Sequence, residues 1–561
     1  MSKPEFDAPK VTVVNGTYAG VHSREYEQDF FLGMPYAKTP ERFTVASGLA
    51  QAWSGIHDAK LYPPHCIGYG SDHVGFEKSE DCLYINVIRP AGLDDTADLP
   101  VAVWIHGGGL TTGGSADPRY NLSFIVNHSV EMGTPIIGVS FNYRLSAFGF
   151  LTGKEAMEEG ITNIGFRDQR LALQWVQENI AAFGGSPEKV TIWGESAGAE
   201  SVTAQMLAYN SRDDGLFRAA IGQSGFGAFL SRLTGGFNAT KVGEQLYNDF
   251  VIATSCAGLV GSPESVDCLR KLPIEELNAI LVNSGDLTWP PVLDGDFFQD
   301  YATTQLNKGK FVQVPLLVGT NTDEGASFGF RFSSFTDTDD EFAAMLSRIL
   351  LAENTNRTPE ALTEELMELY PNDQTVGIPS IERWPHIIVS GDPIGEQYGT
   401  QVRRVSALIG DYQMHYPRRR ANHAWAAHAV PSFAYRFNVV PNGVEDWQGS
   451  VHFQEVAFVM LNLDGHGYNV NPFGGDDEEY IAQAKNLSSM LSTAWVNFIT
   501  VLDPNGAHGL PDGTMWPLYD AAGKVGQVIV WDLGESTIET DDWRTDGIVW
   551  FIDHALSVFG S

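Results

Sequence analysis

A strand-like run, Val190–Trp193, feeds into Gly194-Glu195-Ser196-Ala197-Gly198, and a stretch of small residues follows from Ala199 to Ala208. This G-x-S-x-G pattern constrains the chain more than any other segment. A serine at the top of a strand-to-helix turn must adopt unusual φ/ψ, and the flanking glycines let strand and helix approach without a Cβ clash. The helix N-terminus that follows supplies a favourable dipole where negative charge develops. Five residues alone also fit an ordinary tight turn. The strand before and the helix after select Ser196 as a nucleophile.

The same alternation recurs along the chain. Leu99–Ile105, Pro135–Phe141, Phe217–Gly222, Val314–Val318 and Ser432–Val439 read as strands, and most end in a Gly-rich or polar turn. Helix-period segments lie between them. Phe166–Phe183 places Leu171, Trp175, Val176 and Ile180 on one stripe and stops at Gly184-Gly185; Asp476–Ile499 opens on an acidic cluster. Buried strands alternating with helices predict an α/β fold, with a large, mostly parallel central sheet covered by helices on both faces. Chemistry in such sheets sits at the carboxyl ends of the strands. No repeat or low-complexity linker breaks the chain, so residues 1–561 read as a single domain with loop and helical insertions.

Charge excludes whole classes of partner. With 35 Lys and Arg against 70 Asp and Glu, the net charge is −35, which repels phosphate backbones and anionic membranes. No apolar stretch reaches the roughly 20 residues that span a bilayer, and the C-terminal run Gly547–Gly560 reads as a docked helix. Met1–Lys10 has no apolar signal core. The protein is therefore expected inside the cell if Met1 is the native start, and outside it if a leader was removed. Six N-x-S/T sequons, at Asn15, Asn121, Asn127, Asn238, Asn356 and Asn486, matter only in the second case. The four cysteines form two local pairs, Cys66 with Cys82 and Cys256 with Cys268, a spacing compatible with small disulfide loops.

His106-Gly107-Gly108-Gly109 follows the strand Leu99–Ile105. An acyl-transfer intermediate needs backbone N–H groups aimed at its developing oxyanion. The expected donors are Gly108, Gly109 and Ala197. A phosphate-cradling loop is the competing reading, but no Lys-Ser/Thr follows it. The acid should lie in a loop after a later strand, and Asn321-Thr322-Asp323-Glu324-Gly325 offers two adjacent carboxylates that the residues alone do not separate. Among the later histidines, His415, His423 and His428 sit in a helical stretch with Arg418–Arg420 and suit structural roles. His452 follows the strand Ser432–Val439 after a loop; His466 is the second candidate.

Glu80-Asp81-Cys82-Leu83-Tyr84-Ile85-Asn86, HGGG, Asn142-Tyr143-Arg144-Leu145 and GESAG occur in the order seen in the type-B carboxylesterase family of cholinesterases, carboxylesterases and fungal lipases. The sequence resembles that family from about Gly16 to the C-terminus, and its fungal members most. The resemblance implies an α/β-hydrolase fold, a serine carboxylester hydrolase and a glutamate as third triad member. The acid-then-glycine pattern puts that role on Glu324, and G-x-x-H-x-x-E puts the base on His452. It also implies disulfides Cys66–Cys82 and Cys256–Cys268, bracing pairs Arg42–Glu80 and Arg144–Asp168, and supporting roles for Glu195 and Ser224. No cofactor or metal is required; the partner is a small-molecule ester.

The Cys66–Cys82 loop encloses 15 residues, shorter than the lid of interfacially activated lipases in the family, and contains no tryptophan around which a choline site is built. Small to medium esters are expected. Phe226, Phe229, Leu287 and Trp289 are candidates to line the acyl pocket, with core packing the competing reading for each. A lipase for longer acylglycerols and a tailoring esterase or acyltransferase of secondary metabolism remain the alternatives. A non-catalytic adhesion protein would have lost the serine or histidine, and both are present.

Overall fold

The computed structural model describes residues 8–94, 96–227, 240–283, 289–329, 336–350, 355–507, 509–520 and 525–560. Two compact units emerge from the backbone contacts. The first comprises Met1–Ala220, Thr240–Gln299 and Ser492–Gly506; the second comprises Ile221–Ala239, Asp300–Leu491 and Ala507–Ser561.

In the first unit six strands run β1 (Val21–Ser23), β2 (Gln28–Pro35), β3 (Tyr84–Pro90), β4 (Leu99–Ile105), β5 (Ile137–Phe141) and β6 (Gly185–Glu195), hydrogen-bonded in the order β1-β2-β3-β5-β4-β6. β4 pairs in parallel with both β5 and β6, while β1, β2 and β3 join antiparallel. All five residues of β5 and the last five of β4 are buried. Continuous burial rather than alternation marks strands covered on both faces, as their largely apolar sequences predict, with Ser140 of β5 a buried polar exception. The sheet is thus mixed, with the expected parallel pairs around β4 and antiparallel pairs toward the N-terminal strands. Helices α1 (Ile164–Asn179) and α2 (Ala197–Ser211) pack beside β6. The predicted stop after α1 is met by Gly184, whose φ of 83° a side chain would disfavour.

Both disulfides form in this unit, Cys66–Cys82 and Cys256–Cys268. Arg42 donates to Glu80 through Nε (2.7 Å) and Nη2 (2.8 Å), and through Nη1 to the carbonyls of Leu269, Arg270 and Leu272. Arg144 forks onto Asp168 at 2.7 and 2.6 Å. Such bidentate pairs fix geometry as well as contributing energy.

In the second unit β7 (Leu316–Asn321), β8 (Ser432–Phe437) and β9 (Gln527–Trp531) are parallel neighbours, and β10 (Thr537–Thr540) closes antiparallel on β9. Every residue of β7 is buried. The predicted C-terminal docked helix is Thr545–His554, whose Ile548 and Phe551 pack with Tyr370 and Tyr412. Asp541, 2% exposed, accepts from Arg418 (2.5 and 2.9 Å), Arg419 (3.0 Å) and the Tyr519 hydroxyl (2.8 Å). Among the described residues no helix is long and apolar enough to cross a membrane.

Candidate active site

Ser196 stands between the last residue of β6 and the first of α2 with φ 56° and ψ −125°. That left-handed φ is a strained state for serine, and the two glycines around it explain how the chain reaches it. A Cβ on Gly194 would lie 2.4 Å from the Gly198 carbonyl carbon, and one on Gly198 would lie 2.1 Å from the Ile105 oxygen. Strand, turn and helix are closer than any side chain permits.

The glycine loop passes against this turn. A Cβ on Gly107 would sit 3.1 Å from Ser196 Cβ and 3.1 Å from Glu195 Oε2. Gly108 and Gly109 have φ of 92° and 64°, so the backbone turns through left-handed conformations that glycine enters without cost. His106 shapes the loop from behind. Its Nδ1 lies 2.9 Å from the Gly107 carbonyl, and its own carbonyl accepts the Tyr143 hydroxyl at 2.9 Å. Burial holds the His106 imidazole down to about 3, so the ring stays neutral. The Ala197 backbone begins α2, where amides lack intrahelical partners.

In the second unit the loop after β7 carries Glu324, fully buried, whose Oε2 lies 2.7 Å from His452 Nδ1. Its other oxygen accepts the Asn321 amide N–H at 2.8 Å. The His452 ring meets Phe328 edge-on at 4.8 Å. Of the two adjacent carboxylates, Glu324 therefore faces the histidine. Asp323 instead joins the two loops: its amide donates to the Ser450 carbonyl, and its Oδ2 accepts the Ser450 amide, both at 2.8 Å. Burial pushes the Asp323 carboxyl up to about 6, against the pull of Arg383 at 3.1 Å.

A second buried carboxylate, Glu455, stands close by and was not singled out from sequence. Asn321 Nδ2 donates to its Oε2 at 2.7 Å, Gln223 Nε2 to its Oε1 at 3.1 Å, and Ser224 Oγ lies 3.5 Å from Oε1. Burial raises its pKa, and the neighbouring Glu324 raises it further. The Ser224 backbone is at φ 49°. The signal was present as the last letter of G-x-x-H-x-x-E. Glu195 is buried beside the glycine loop.

His415, buried, lies 3.0 Å from the Thr320 hydroxyl, and the side chain of His466 is 56% exposed. Phe226 is 1% exposed and edge-on to Trp425; Trp289 is 2% exposed and edge-on to Phe250. Both are packed among aromatic neighbours. Phe229 and Leu287 lie outside the described residues. Among the described residues no group of three or more His, Cys, Asp or Glu is arranged to hold a metal ion.

A serine on a strained strand-to-helix turn beside a glycine loop is the arrangement of the α/β-hydrolases. The chain belongs to the carboxylesterase family, whose model matches residues 7–539. Lipase 2 of Diutina rugosa is 33% identical over 92% of this chain and 91% of its own length. Lipase 1 of Geotrichum candidum is 32% identical over 98% and 96%. The crystal structure of Aspergillus niger EstA superposes with a TM-score of 0.79 at 25% identity, covering 98% of this chain and 99% of that one. The protein is a carboxylic ester hydrolase acting on small-molecule esters.

Proposed function

We propose that Ser196, His452 and Glu324 work as nucleophile, base and acid, with residues 1–561 acting as one catalytic domain. The observation that carries this reading is the buried Glu324 carboxylate held 2.7 Å from His452 Nδ1. A carboxylate there fixes the imidazole with Nδ1 protonated and leaves Nε2 to accept a proton. His452 takes the Ser196 proton as the serine oxygen attacks the ester carbonyl. The oxyanion is met by the amides of Gly108, Gly109 and Ala197. Collapse expels the alcohol, which takes the proton from His452, and leaves an acyl-enzyme. Water, deprotonated by His452, then releases the acid and restores Ser196.

The substrates in this reading are small to medium esters, taken without a lipid interface. Support comes from how firmly the Cys66–Cys82 loop is tied down. Asp72 pairs with Arg119 at 2.6 Å, Tyr69 donates its hydroxyl to Asn278 at 2.6 Å, and the Tyr69 amide donates to Thr111 at 2.8 Å. His73 is buried with Nδ1 3.3 Å from His65 Nδ1. A loop so anchored is poorly suited to swing as a lid. The named fungal relatives are lipases, which favours longer acylglycerols as the second reading.

A panel of p-nitrophenyl esters of rising acyl length, run with wild type and Ser196→Ala, tests both. Activity should peak at short to medium chains and vanish in Ser196→Ala. Full activity in that variant would refute the nucleophile, and a rate jump above the solubility limit of a triglyceride would establish the lipase reading instead.

A further inference from the structure

Within the second unit an open cavity of about 930 Å³ is lined by four arginines, Arg383, Arg404, Arg436 and Arg544. That is a notable gathering in a chain of net charge −35. Two buried carboxylates, Asp323 and Asp411, reach the same cavity. The remaining acids on its lining, Glu382, Asp542 and Asp546, are exposed, where water screens them. Each of the four guanidiniums is paired with one carboxylate, Arg383 with Asp323, Arg404 with Asp339, Arg436 with Glu539 and Arg544 with Asp411.

The guanidiniums have donors to spare. Arg383 gives Nη1 to Asp323 and Nη2 to the Asn438 carbonyl; Arg544 gives Nε to Asp411 and Nη1 to the Val376 carbonyl. Each has five N–H groups, so these bonds leave others over. A fifth arginine, Arg403, lies behind the wall at Gly377, where a Cβ would be 2.6 Å from Arg403 Cβ. It is 1% exposed, and its Nε and Nη1 have no partner among the described residues. The walls offer an apolar surface as well. Arg544 lies over Tyr370 at 5.4 Å and over Trp543 at 5.6 Å, and both rings line the cavity.

One of these arginines leads to the catalytic loops. Arg383 holds the Asp323 oxygen that also accepts the Ser450 amide. Asp323 thereby staples the loop bearing Glu324 to the loop bearing His452.

We propose that this cavity binds an organic carboxylate with an apolar body, and that the bound anion draws Arg383 from Asp323 and loosens the Glu324–His452 pair. The ligand class is that of the acids the enzyme itself releases. The binding half stands on the cavity alone, whereas the coupling half rests on the reading that Glu324 and His452 are catalytic.

The probe is 4-phenylbutyrate, titrated calorimetrically into the full-length protein, with 4-phenylbutanamide as its uncharged analogue. Arg544→Gln should weaken the carboxylate at least tenfold, and the amide should not bind. Because Arg544 is paired with a buried aspartate, Asp546→Asn is the companion variant. It removes an exposed rim charge and should tighten binding about twofold. With p-nitrophenyl acetate as substrate, the probe should lower kcat and leave KM unchanged. Equal affinity for acid and amide, an Asp546→Asn affinity equal to or weaker than wild type, or purely competitive inhibition would overturn the site. Binding lost in Arg544→Gln with kcat unmoved by the probe keeps the site and overturns the coupling. The triad is judged separately, by Ser196→Ala.

Discussion

Glu324→Gln is the sharpest test of the hydrogen-bond arrangement around His452. Glu324 Oε1 accepts the Asn321 N–H at 2.8 Å, and Oε2 lies 2.7 Å from His452 Nδ1, with no exposed surface on the side chain. Glutamine brings one oxygen and one NH₂ to those two positions. A backbone N–H can only donate, so the oxygen must face Asn321 and the NH₂ must face His452. Nδ1 is then forced to accept. A neutral imidazole carries a single N–H, so its proton moves to Nε2, the atom required to take the serine proton. Inverting the tautomer in this way costs roughly 10³- to 10⁴-fold in kcat, which is about 4–5.5 kcal/mol on the barrier. The assay is kcat for p-nitrophenyl butyrate, with the urea midpoint measured alongside to show that the fold survives. A glutamine variant that keeps more than a tenth of wild-type kcat, while folded, would refute the reasoning. Glu324→Asp restores the charge one methylene short and should fall between the two.

Three further outcomes follow from geometry. Asp541→Asn leaves Arg418 and Arg419 buried beside a neutral group and should cost about 3–5 kcal/mol, read as a drop in the urea midpoint. Burial by itself would raise the Asp541 carboxyl, yet Arg418, ahead of Arg419 and Tyr519, holds it well below the usual range. Its stabilising effect is therefore present above about pH 4 and lost as pH falls below that. Asp323 behaves oppositely: its folded pKa is raised to about 6, so its contribution is present below about pH 4 and lost as pH rises through 6. Wild-type stability should decline relative to Asp323→Asn across that window by about 3 kcal/mol; parallel pH curves would sink this account. Gly198→Ala drives a methyl to 2.1 Å from the Ile105 oxygen and should lower stability by at least about 2 kcal/mol, seen as a reduced Tm.

How much of this was legible in the sequence depends on whether a residue's task leaves a local mark. The Ser196 turn did, because backbone strain and close approach are written as glycines two residues on either side. The strand Leu99–Ile105 did too, since burial on both faces favours an apolar run, whereas the strand read at Val314–Val318 runs instead from Leu316 to Asn321, its last residues Thr320 and Asn321 polar but buried. The antiparallel strand Gln28–Pro35 did not: Gln28 and Asp29 are buried polar residues whose partners, the Ser123 carbonyl for Gln28 Nε2 and Arg89 for Asp29, no window of sequence displays. Choosing Glu324 over Asp323 needed the family pattern, because the two are alike in type and adjacent in position. Only the fold shows one facing His452 and the other bridging to Ser450. Glu455 was in view but without a task, as its partners Gln223 and Asn321 lie 232 and 134 residues away. Each of the two compact units is assembled from three separate stretches, so no linker in the sequence marks where one gives way to the other.

The Arg42 guanidinium also sets a clock. Its Nη1 is bonded to the Leu272 carbonyl, 230 residues further along the chain. At synthesis rates of about 5–20 residues per second, roughly 10 to 45 s separate the emergence of the two partners. Glu80 arrives early and can engage Nε and Nη2, while the inner face of the fork must wait for the Cys256–Cys268 segment to be made. A nascent chain halted before residue 272 should therefore expose a half-satisfied arginine beside the first disulfide loop, and release of the next few residues is what lets that corner close.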